Sequence, residues 1–510
     1  MPSAQYAVRS SVVLFFAGFA LFACGDDDTS PPDPPVVSID LLAPLGGETW
    51  GASGTIRWQS QNATDQTVNV LLSDDSGASY PETLASGLPH TSAHEWTLWA
   101  RPDGATYRIR VDLVDASLAV VDSDASASDF TIENPESRLL IADIDFADAN
   151  LEAAVVATGH TYADEVTRVD GREQGIADLS GIEFLVNLDT LRLLGNSVVD
   201  LTPLAGLTEV LELDLYRNLI VDLTPLVGLT ALQTLRINEN PVTDLSPLAG
   251  LTTLTHLETS YVLPQSWAPL TNLTNLEWYQ CQFCELTDIS HLAGMTNMLN
   301  LSLPNNQITS IAVVAGMTQL EKLQLYGSQI ADISPLTGLV GLRELTLSGS
   351  PIADFSPLQN LVNIEYLRLG STGFSDLSLL MGMTQLVHLN VHHNAFSDLT
   401  PFAQLTTLEH LNLQSNQITD ISPLAALTNL TELYFHQNQI QDLSSLAVLV
   451  DLEYLDARDN VITTGVAALV TLVNTRGVNL EGNDQIPCAD LDALETALGP
   501  GIVIRPAACI

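Results

Sequence analysis

Apolar residues recur with a period of 22 positions over most of the chain. The best copies carry a Leu-x-Leu pair, an Asn three residues after it and a Ser-Pro-Leu or Thr-Pro-Leu triplet, and other residue types replace some of these in the remaining copies. A fixed period of this length predicts a solenoid in which each repeat stacks on the next. The repeats begin at Val166, Leu188, Val210, Leu232, Leu254, Leu276, Met298, Leu320, Leu342, Ile364, Leu386, Leu408, Leu430 and Leu452, and a 23-residue step then leads to Thr475.

The pattern inside one repeat predicts its local structure. The Leu-x-Leu pair alternates with period two, which is typical of a short strand with its leucines pointing inward. Stacked repeats align these strands in a parallel sheet and bury leucines that a lone repeat leaves exposed. The Asn amide can donate to and accept from the backbone of a buried turn. The hydroxyl of the triplet predicts a cap before a helical Pro, so each return path is expected to be a 3₁₀ turn. We therefore predict an α/β solenoid.

The first 35 residues have the composition of an export signal and a tether. Residues 11–23 form an apolar run after Arg9, too short to span a bilayer, which needs about 20 residues. They indicate a secretory signal peptide over residues 1–23. Leu21-Phe22-Ala23-Cys24-Gly25 resembles the bacterial lipobox, which implies lipidation of Cys24 and attachment of the exported protein to the cell envelope; an ordinary signal peptide with a chance cysteine is the alternative. Residues 24–35 are acidic and rich in proline, as expected for an extended tether.

Short alternating runs between turn residues fill residues 36–134. This pattern predicts an antiparallel β-sandwich. The segments around Trp50, Trp58 and Phe130 resemble an immunoglobulin-like module of extracellular bacterial and fungal cell-wall proteins, which implies a spacer without catalysis. Trp50, Trp58, Trp96 and Trp99 fit two interpretations, a sugar-stacking set or sandwich core, and we expect at least two of them in the core.

The repeat pattern identifies a family by resemblance. Residues 408–428 match the leucine-rich repeat in its 22-residue bacterial form, and residues from about Ser137 to the C-terminus resemble the internalin family of surface proteins. The resemblance implies a helical N-terminal cap over residues 135–165, with Asp148 capping the helix, repeats over 166–483 and a C-terminal cap over 484–510. We expect a disulfide between Cys488 and Cys509, because an exported chain meets an oxidising compartment and only these two cysteines lie near an end.

The charge balance excludes two classes of partner. Of 510 residues, 17 are Lys or Arg and 61 are Asp or Glu, which gives a formal net charge of −44. Nucleic acids and anionic lipid surfaces both require a basic stripe, and the chain has few bases to build one. Hydrophobic residues make up 46 % and charged residues only 15 % of the chain, so it is able to bury a core.

No motif in the sequence favours an enzyme or a cofactor. Cys281 and Cys284 have the spacing of a redox or metal pair, but the repeat register places them at the second inward position and the Asn position, so we interpret them as unreactive buried residues. An Asp recurs two residues before each triplet and is interpreted as a turn cap, with calcium binding as the alternative. This acidic row contains Asp178, Asp200, Asp222, Asp244, Asp288, Asp332, Asp354, Asp376, Asp398, Asp420 and Asp442.

The outward strand positions carry the candidate binding residues. In each repeat these are the third, fifth and seventh positions, and they hold several exposed aromatic residues and a share of the rare cations. Tyr, Trp and Arg dominate binding hot spots. His388 and His410 hold the same position in adjacent repeats, so they should lie about 5 Å apart. A zinc or copper site is the alternative to a polar recognition patch here. The predicted ligand-binding residues are Tyr216, Arg236, Trp278, Tyr326, Tyr366, Arg368, His388, His392, His410, Tyr434, His436 and Tyr454.

These patterns favour a surface-anchored binding or adhesion protein without catalytic activity. Its ligand is expected to be a protein or a glycan on a cell surface. A structural envelope or stalk protein is the alternative, as is a carbohydrate-binding accessory protein that uses residues 36–134. The aromatic residues on the sheet face argue against a mere spacer.

Overall fold

The computed structural model describes residues 36–51, 53–91, 93–97, 104–132 and 138–510. The predicted signal peptide, tether, Cys24 and Trp99 lie outside these residues. Two compact units are divided at residue 137. In the described part of the chain, no helix is long and apolar enough to cross a membrane.

The N-terminal unit is a small β domain with two sheets. One sheet has the order β1-β3-β6, and the other has the order β2-β9-β7-β4-β5 with β8 paired to β7. All pairings except that of β2 with β9 are antiparallel. The strands are β1 (Ser38–Ala43), β2 (Thr49–Trp50), β3 (Ser53–Gln61), β4 (Thr67–Ser73), β5 (Glu82–Pro89), β6 (Ala93–Thr97), β7 (Gly104–Val114), β8 (Val120–Ala125) and β9 (Phe130–Ile132).

Apolar residues of both sheets share one core in this unit. Trp58 and Trp96 are buried in it, and Trp50 packs against it with its ring 5.0 Å from that of Phe130. The expectation that at least two tryptophans are core residues is confirmed. Two of the four candidates for sugar stacking are therefore inaccessible to a ligand.

The C-terminal unit is a solenoid with a parallel sheet of sixteen strands in strict chain order. Each strand pairs with the equivalent residues of the next repeat, so the predicted solenoid and its register are confirmed. The strands are β10 (Arg168–Asp170), β11 (Thr190–Arg192), β12 (Glu212–Asp214), β13 (Thr234–Arg236), β14 (His256–Glu258), β15 (Trp278–Gln280), β16 (Asn300–Ser302), β17 (Lys322–Gln324), β18 (Glu344–Thr346), β19 (Tyr366–Arg368), β20 (His388–Asn390), β21 (His410–Asn412), β22 (Glu432–Tyr434), β23 (Tyr454–Asp456), β24 (Gly477–Asn479) and β25 (Val503–Ile504).

Helical segments complete each coil. The α-helices α1 (Ala149–Val156) and α2 (Cys488–Leu498) lie in the two terminal caps. As predicted, the Asp148 side chain accepts from the N–H groups of Asn150 and Leu151 and caps α1. The 3₁₀ helices span Ile141–Asp143, Ala163–Glu165, Ile182–Phe184, Thr202–Leu204, Thr224–Gly228, Ser246–Gly250, Ala268–Asn272, Ser290–Leu292, Ala312–Gly316, Ser334–Gly338, Ser356–Asn360, Leu377–Leu380, Thr400–Gln404, Ser422–Ala426, Ser444–Val448 and Val466–Thr471.

The Asn residues connect neighbouring repeats as their chemistry predicts. Asn438 is buried, and its Nδ2 donates to the carbonyls of Leu413, Phe435 and His436 at 2.9–3.4 Å. Its Oδ1 accepts from the N–H of Ile418 in the preceding repeat at 3.0 Å. One side chain thus satisfies backbone groups that no water reaches.

The acidic row caps the 3₁₀ turns, and the triplet hydroxyls do not. All eleven Asp residues accept from the N–H two residues later. The Ser or Thr that we predicted as the cap is already the first helical residue in turns such as Thr202–Leu204 and Ser246–Gly250. That prediction was wrong, whereas the interpretation of the acidic row as turn caps is confirmed, because each Asp side chain reaches forward to the first helical N–H. In the turn at Thr202, hydrogen bonds from its hydroxyl and N–H lower the pKa of Asp200.

Both cysteine pairs of the repeat unit are bonded. Cys488 and Cys509 form the predicted disulfide in the C-terminal cap. Cys281 and Cys284 also form a disulfide, with 5.7 Å between their Cα atoms, and both are buried. Their predicted interior positions are confirmed, but the interpretation as unreactive residues was wrong, because the two are bonded to each other. The bend after the strand turns both side chains into the same interior, which brings the sulfur atoms together.

Candidate functional site

The in-register sheet arranges outward side chains in rows. Equivalent third positions are direct neighbours from strand to strand and form the row Tyr366, His388, His410, Glu432 and Tyr454. Fifth positions form a parallel row of Arg368, Asn390, Asn412, Tyr434 and Asp456. Between the rows, the side chains of the fourth positions point inward, as the buried Leu367, Leu389 and Leu411 show.

A cavity of about 170 Å³ lies between these two rows. Aromatic, imidazole and amide groups form its walls, and leucine backbone forms its floor. Its lining residues are Tyr366, Leu367, Arg368, His388, Leu389, Asn390, His410, Leu411, Asn412, Glu432 and Tyr434. We call this cavity and its walls the aromatic site.

The third-position wall of the aromatic site is a continuous stack. The Tyr366 and His388 rings lie 5.1 Å apart, and the His388 and His410 rings lie 4.2 Å apart at 11° to each other. The spacing predicted for the two histidines therefore fits the structure. At the end of the stack, His410 Nδ1 lies 3.2 Å from Glu432 Oε2. This packing leaves the rings half-buried, with one flank open to the cavity.

Burial and near neighbours keep the site uncharged at its centre. Burial, followed by the adjacent His410, lowers the pKa of His388. Burial and a hydrogen bond from its own hydroxyl to Glu432 raise the pKa of Tyr434 to about 12. Both groups are therefore neutral near pH 7. A neutral aromatic surface with polar edges suits contact with protein side chains and backbone.

The fifth-position wall offers hydrogen-bond donors. The side-chain oxygens of Asn390 and Asn412 accept from the N–H groups of His392 and Gln414. In the described part of the chain, the amide nitrogens of these two asparagines have no partner. Sequence reasoning did not include Asn390, Asn412 or Glu432 among the candidate residues. Their signal was present in the register, because they occupy the same outward rows as His388 and Tyr434.

The other predicted residues lie elsewhere on the face. Arg236 is paired with Glu212 and Glu258, each at 3.1 Å. The Trp278 ring stacks on His256 with 5.1 Å between centroids, and the Tyr216 hydroxyl donates to Glu239 at 2.9 Å. In the first repeats these side chains therefore pair with or stack on neighbouring side chains, away from the aromatic site.

Four further candidates flank the aromatic site. Tyr454 lies 5.4 Å from Tyr434, ring to ring, and His436 Nδ1 lies 3.1 Å from Asp456. Tyr326 and His392 line a neighbouring depression that also contains Arg368. All six aromatic residues predicted as exposed are half-buried. They are less exposed than expected, because neighbouring rings or acids contact Tyr216, Trp278, Tyr366, Tyr434 and Tyr454.

The described residues contain no group of three or more His, Cys, Asp or Glu side chains placed to hold a metal ion. In His388 and His410, the planes are stacked face to face, and imidazoles coordinate through in-plane nitrogen atoms. The arrangement of this pair therefore fits packing and recognition better than coordination.

Comparison with known proteins identifies the class of the C-terminal unit. The leucine-rich repeat family, in its form with two copies, matches residues 318–360 and 406–448. The functional domain of InlJ from Listeria monocytogenes is similar in structure, with a TM-score of 0.53, 21 % identity and coverage of 67 % of this chain and 82 % of that chain. The C-terminal unit has the leucine-rich repeat fold.

Two further structures of leucine-rich repeat proteins are similar to parts of this chain. Internalin C2 of Listeria monocytogenes is 32 % identical over 40 % of this chain and 95 % of that chain, with a TM-score of 0.38. A leucine-rich repeat protein of Leptospira interrogans is 20 % identical over 67 % of this chain and 96 % of that chain, with a TM-score of 0.52. No curated protein sequence matches the chain.

Proposed function

We propose that this internalin-like protein is exported and binds a protein ligand through the aromatic site, in adhesion or surface recognition. The observation that supports this proposal is a difference between the early and the later repeats of the sheet. The early repeats pair their charges with each other, as Arg236 does, whereas the later repeats present a cavity with unpartnered donors and half-buried rings. Rings held in place by stacking lose little entropy on binding and gain apolar contact.

The triple variant Tyr366→Ala/His410→Ala/Tyr434→Ala tests this proposal. A pull-down from cell-surface extracts with the full chain first supplies a ligand, and surface plasmon resonance then measures its affinity. We expect the triple variant to weaken binding at least 100-fold, since each hot-spot truncation costs about 2 kcal/mol. Tyr216→Ala is the matched control on the same face and should leave the affinity within about twofold. Equal affinity of the triple variant and the wild type would exclude this site.

We further propose that a lipid on Cys24 holds the protein at the cell envelope. The lipobox-like sequence Leu21-Phe22-Ala23-Cys24 and the acidic tether after it support this proposal. In bacteria fed a labelled fatty acid, Cys24→Ala should lose the label and move from the membrane fraction to the soluble fraction. Retention of the label by this variant would contradict the proposal.

The N-terminal β domain fits an immunoglobulin-like spacer between the anchor and the repeats. Its two buried tryptophans, Trp58 and Trp96, support a structural use of these rings. This assignment places ligand recognition on the repeats and gives the β domain the role of holding them away from the membrane.

A further inference from the structure

Arg368 differs from the other cations on the sheet face. Repeats beginning at Leu188 to Leu452 carry five Lys or Arg residues at outward positions, and four of them form ion pairs within 3.1 Å. These four are Arg192, Arg236, Lys322 and Arg458. Arg368 forms no ion pair and no side-chain hydrogen bond in the described part of the chain, and it is exposed. Its guanidinium lies only over the Tyr366 ring, 4.9 Å from the centroid.

For an acidic chain, it is unusual that Arg368 has no carboxylate partner among the described residues. With 61 acids and 17 bases, the chain has an ample supply of carboxylates. The direct neighbours of Arg368 in its row are nevertheless the uncharged Thr346 and Asn390. An Arg held in place on a ring, with five unused donors, is prepared to receive an anion from outside the chain.

Small residues open a notch beside this guanidinium. The notch has a volume of about 330 Å³ and is lined by Tyr326, Ser348, Gly349, Arg368, Gly370, Ser371, Asn390 and His392. Gly370 shapes its floor: a Cβ there would lie 2.4 Å from His392 Nε2, so the imidazole leans directly over the glycine. Tyr326 and His392 both line the notch, and Arg368 and Asn390 line both the notch and the aromatic site.

We infer that this Arg368 notch binds a carboxylate of the protein ligand, supplied by an Asp or Glu side chain or by the chain's C-terminus. A guanidinium and a carboxylate form two parallel N–H···O bonds, and the open edge of Arg368 has no competing partner. The inference rests on the proposed function, because it places one anchor of the ligand next to the aromatic site. It also specifies how an acidic protein attracts an acidic group at one point of its face.

A peptide array tests the inference with defined carboxylates in place of the natural ligand. Random twelve-residue peptides, made with free and with amidated C-termini, are probed with the full wild-type chain. Binders that the Tyr366→Ala/His410→Ala/Tyr434→Ala variant no longer retains are selected. We expect these peptides to need one carboxylate: Asp→Asn, Glu→Gln or C-terminal amidation should weaken binding about 10- to 100-fold. The position of that carboxylate distinguishes a side chain from a chain end.

Arg368→Gln should weaken the same peptides by a similar factor. The two losses should not add, because removing either partner removes the same contact. Arg476→Gln is the matched control, since it removes one positive charge from an exposed side chain outside the notch. Gly370→Ala, which fills the notch and keeps the charge, should also weaken binding.

The possible results distinguish a failure of the notch inference from a failure of the proposed function. One result would be peptides that require the aromatic site and yet bind equally well after carboxylate removal and to Arg368→Gln. That result would overturn the inference about the notch and leave the proposed function intact. Binders that all survive the triple variant would overturn the proposed function. Binding of a sulfated oligosaccharide that Arg368→Gln abolishes, with no peptide binder, would overturn a protein carboxylate as the occupant.

Discussion

Replacing Asn438 by alanine is expected to lower the free energy of unfolding of the repeats by about 3–5 kcal/mol. The substitution removes one acceptor and a donor group shared by three carbonyls, all in the buried turn. The N–H of Ile418 then loses its partner where water does not reach. The carbonyls of Leu413 and Phe435 each lose one of two hydrogen bonds and keep the one from Asn416 or Asn460, and each lost bond costs about 1 kcal/mol. Each buried polar group without a partner costs about 1–3 kcal/mol.

Urea unfolding followed by circular dichroism measures this effect. Gln439→Ala is the matched control, because Gln439 is the next residue in the same turn and is exposed. It should change stability by less than about 0.5 kcal/mol. A loss below about 1 kcal/mol for Asn438→Ala would show that the turn relaxes enough to hydrate its backbone, and our account of the turn would then be wrong.

Acid is expected to destabilise the repeats through His291 by about 3 kcal/mol. His291 is 9 % exposed and stacks on Trp267 with 5.9 Å between ring centroids. In the described part of the chain, its Nε2 has no hydrogen-bond partner. Burial lowers the pKa of His291 to about 4, against a weaker opposing effect of Asp288. The unfolded chain therefore binds this proton first, so stability is present at pH 7 and is lost as the pH falls from about 6.5 to about 4.

The variant His291→Pro isolates this contribution. His291 occupies the place of the Pro in Ser290-His291-Leu292, and in the described part of the chain its N–H makes no backbone hydrogen bond. Proline suits the first turn of a helix. The difference in unfolding free energy between wild type and variant should shift by about 3 kcal/mol between pH 7 and pH 4. His160→Gln, at an exposed position, should show no such shift, and a pH-independent difference for His291→Pro would refute the assignment.

The fold was predictable because each coil repeats the same local structure. A period of 22 fixes which leucines point inward, and register then places every outward residue next to its equivalent in the adjacent repeat. The stacking of His388 on His410 followed from this rule. The buried Asn turns follow from the same rule, whereas the cap of α1 at Asp148 was expected from the resemblance of the N-terminal cap.

The predictions failed where the outcome depends on side-chain reach. The Ser or Thr that we expected to cap each turn is itself the first helical residue, so its N–H is capped by the Asp two residues earlier. The Cys281–Cys284 bond depends on where the chain bends after its strand. Arg236 and Arg368 look alike in sequence. Their neighbours in the row distinguish them: Arg236 lies between Asp214 and Glu258, and Arg368 lies between Thr346 and Asn390.

The parallel register sets the dimensions of any ligand that the face can hold. Each repeat contributes one residue to each row, and adjacent strands are about 4.8 Å apart. The separation between two anchor residues, such as Arg368 and Tyr434, therefore changes only in whole steps of this size when repeats are gained or lost. Deleting residues 386–407 would bring them one step closer without altering the backbone of either coil. A population of such proteins with different repeat numbers would discriminate among ligands by length, even with identical anchor residues.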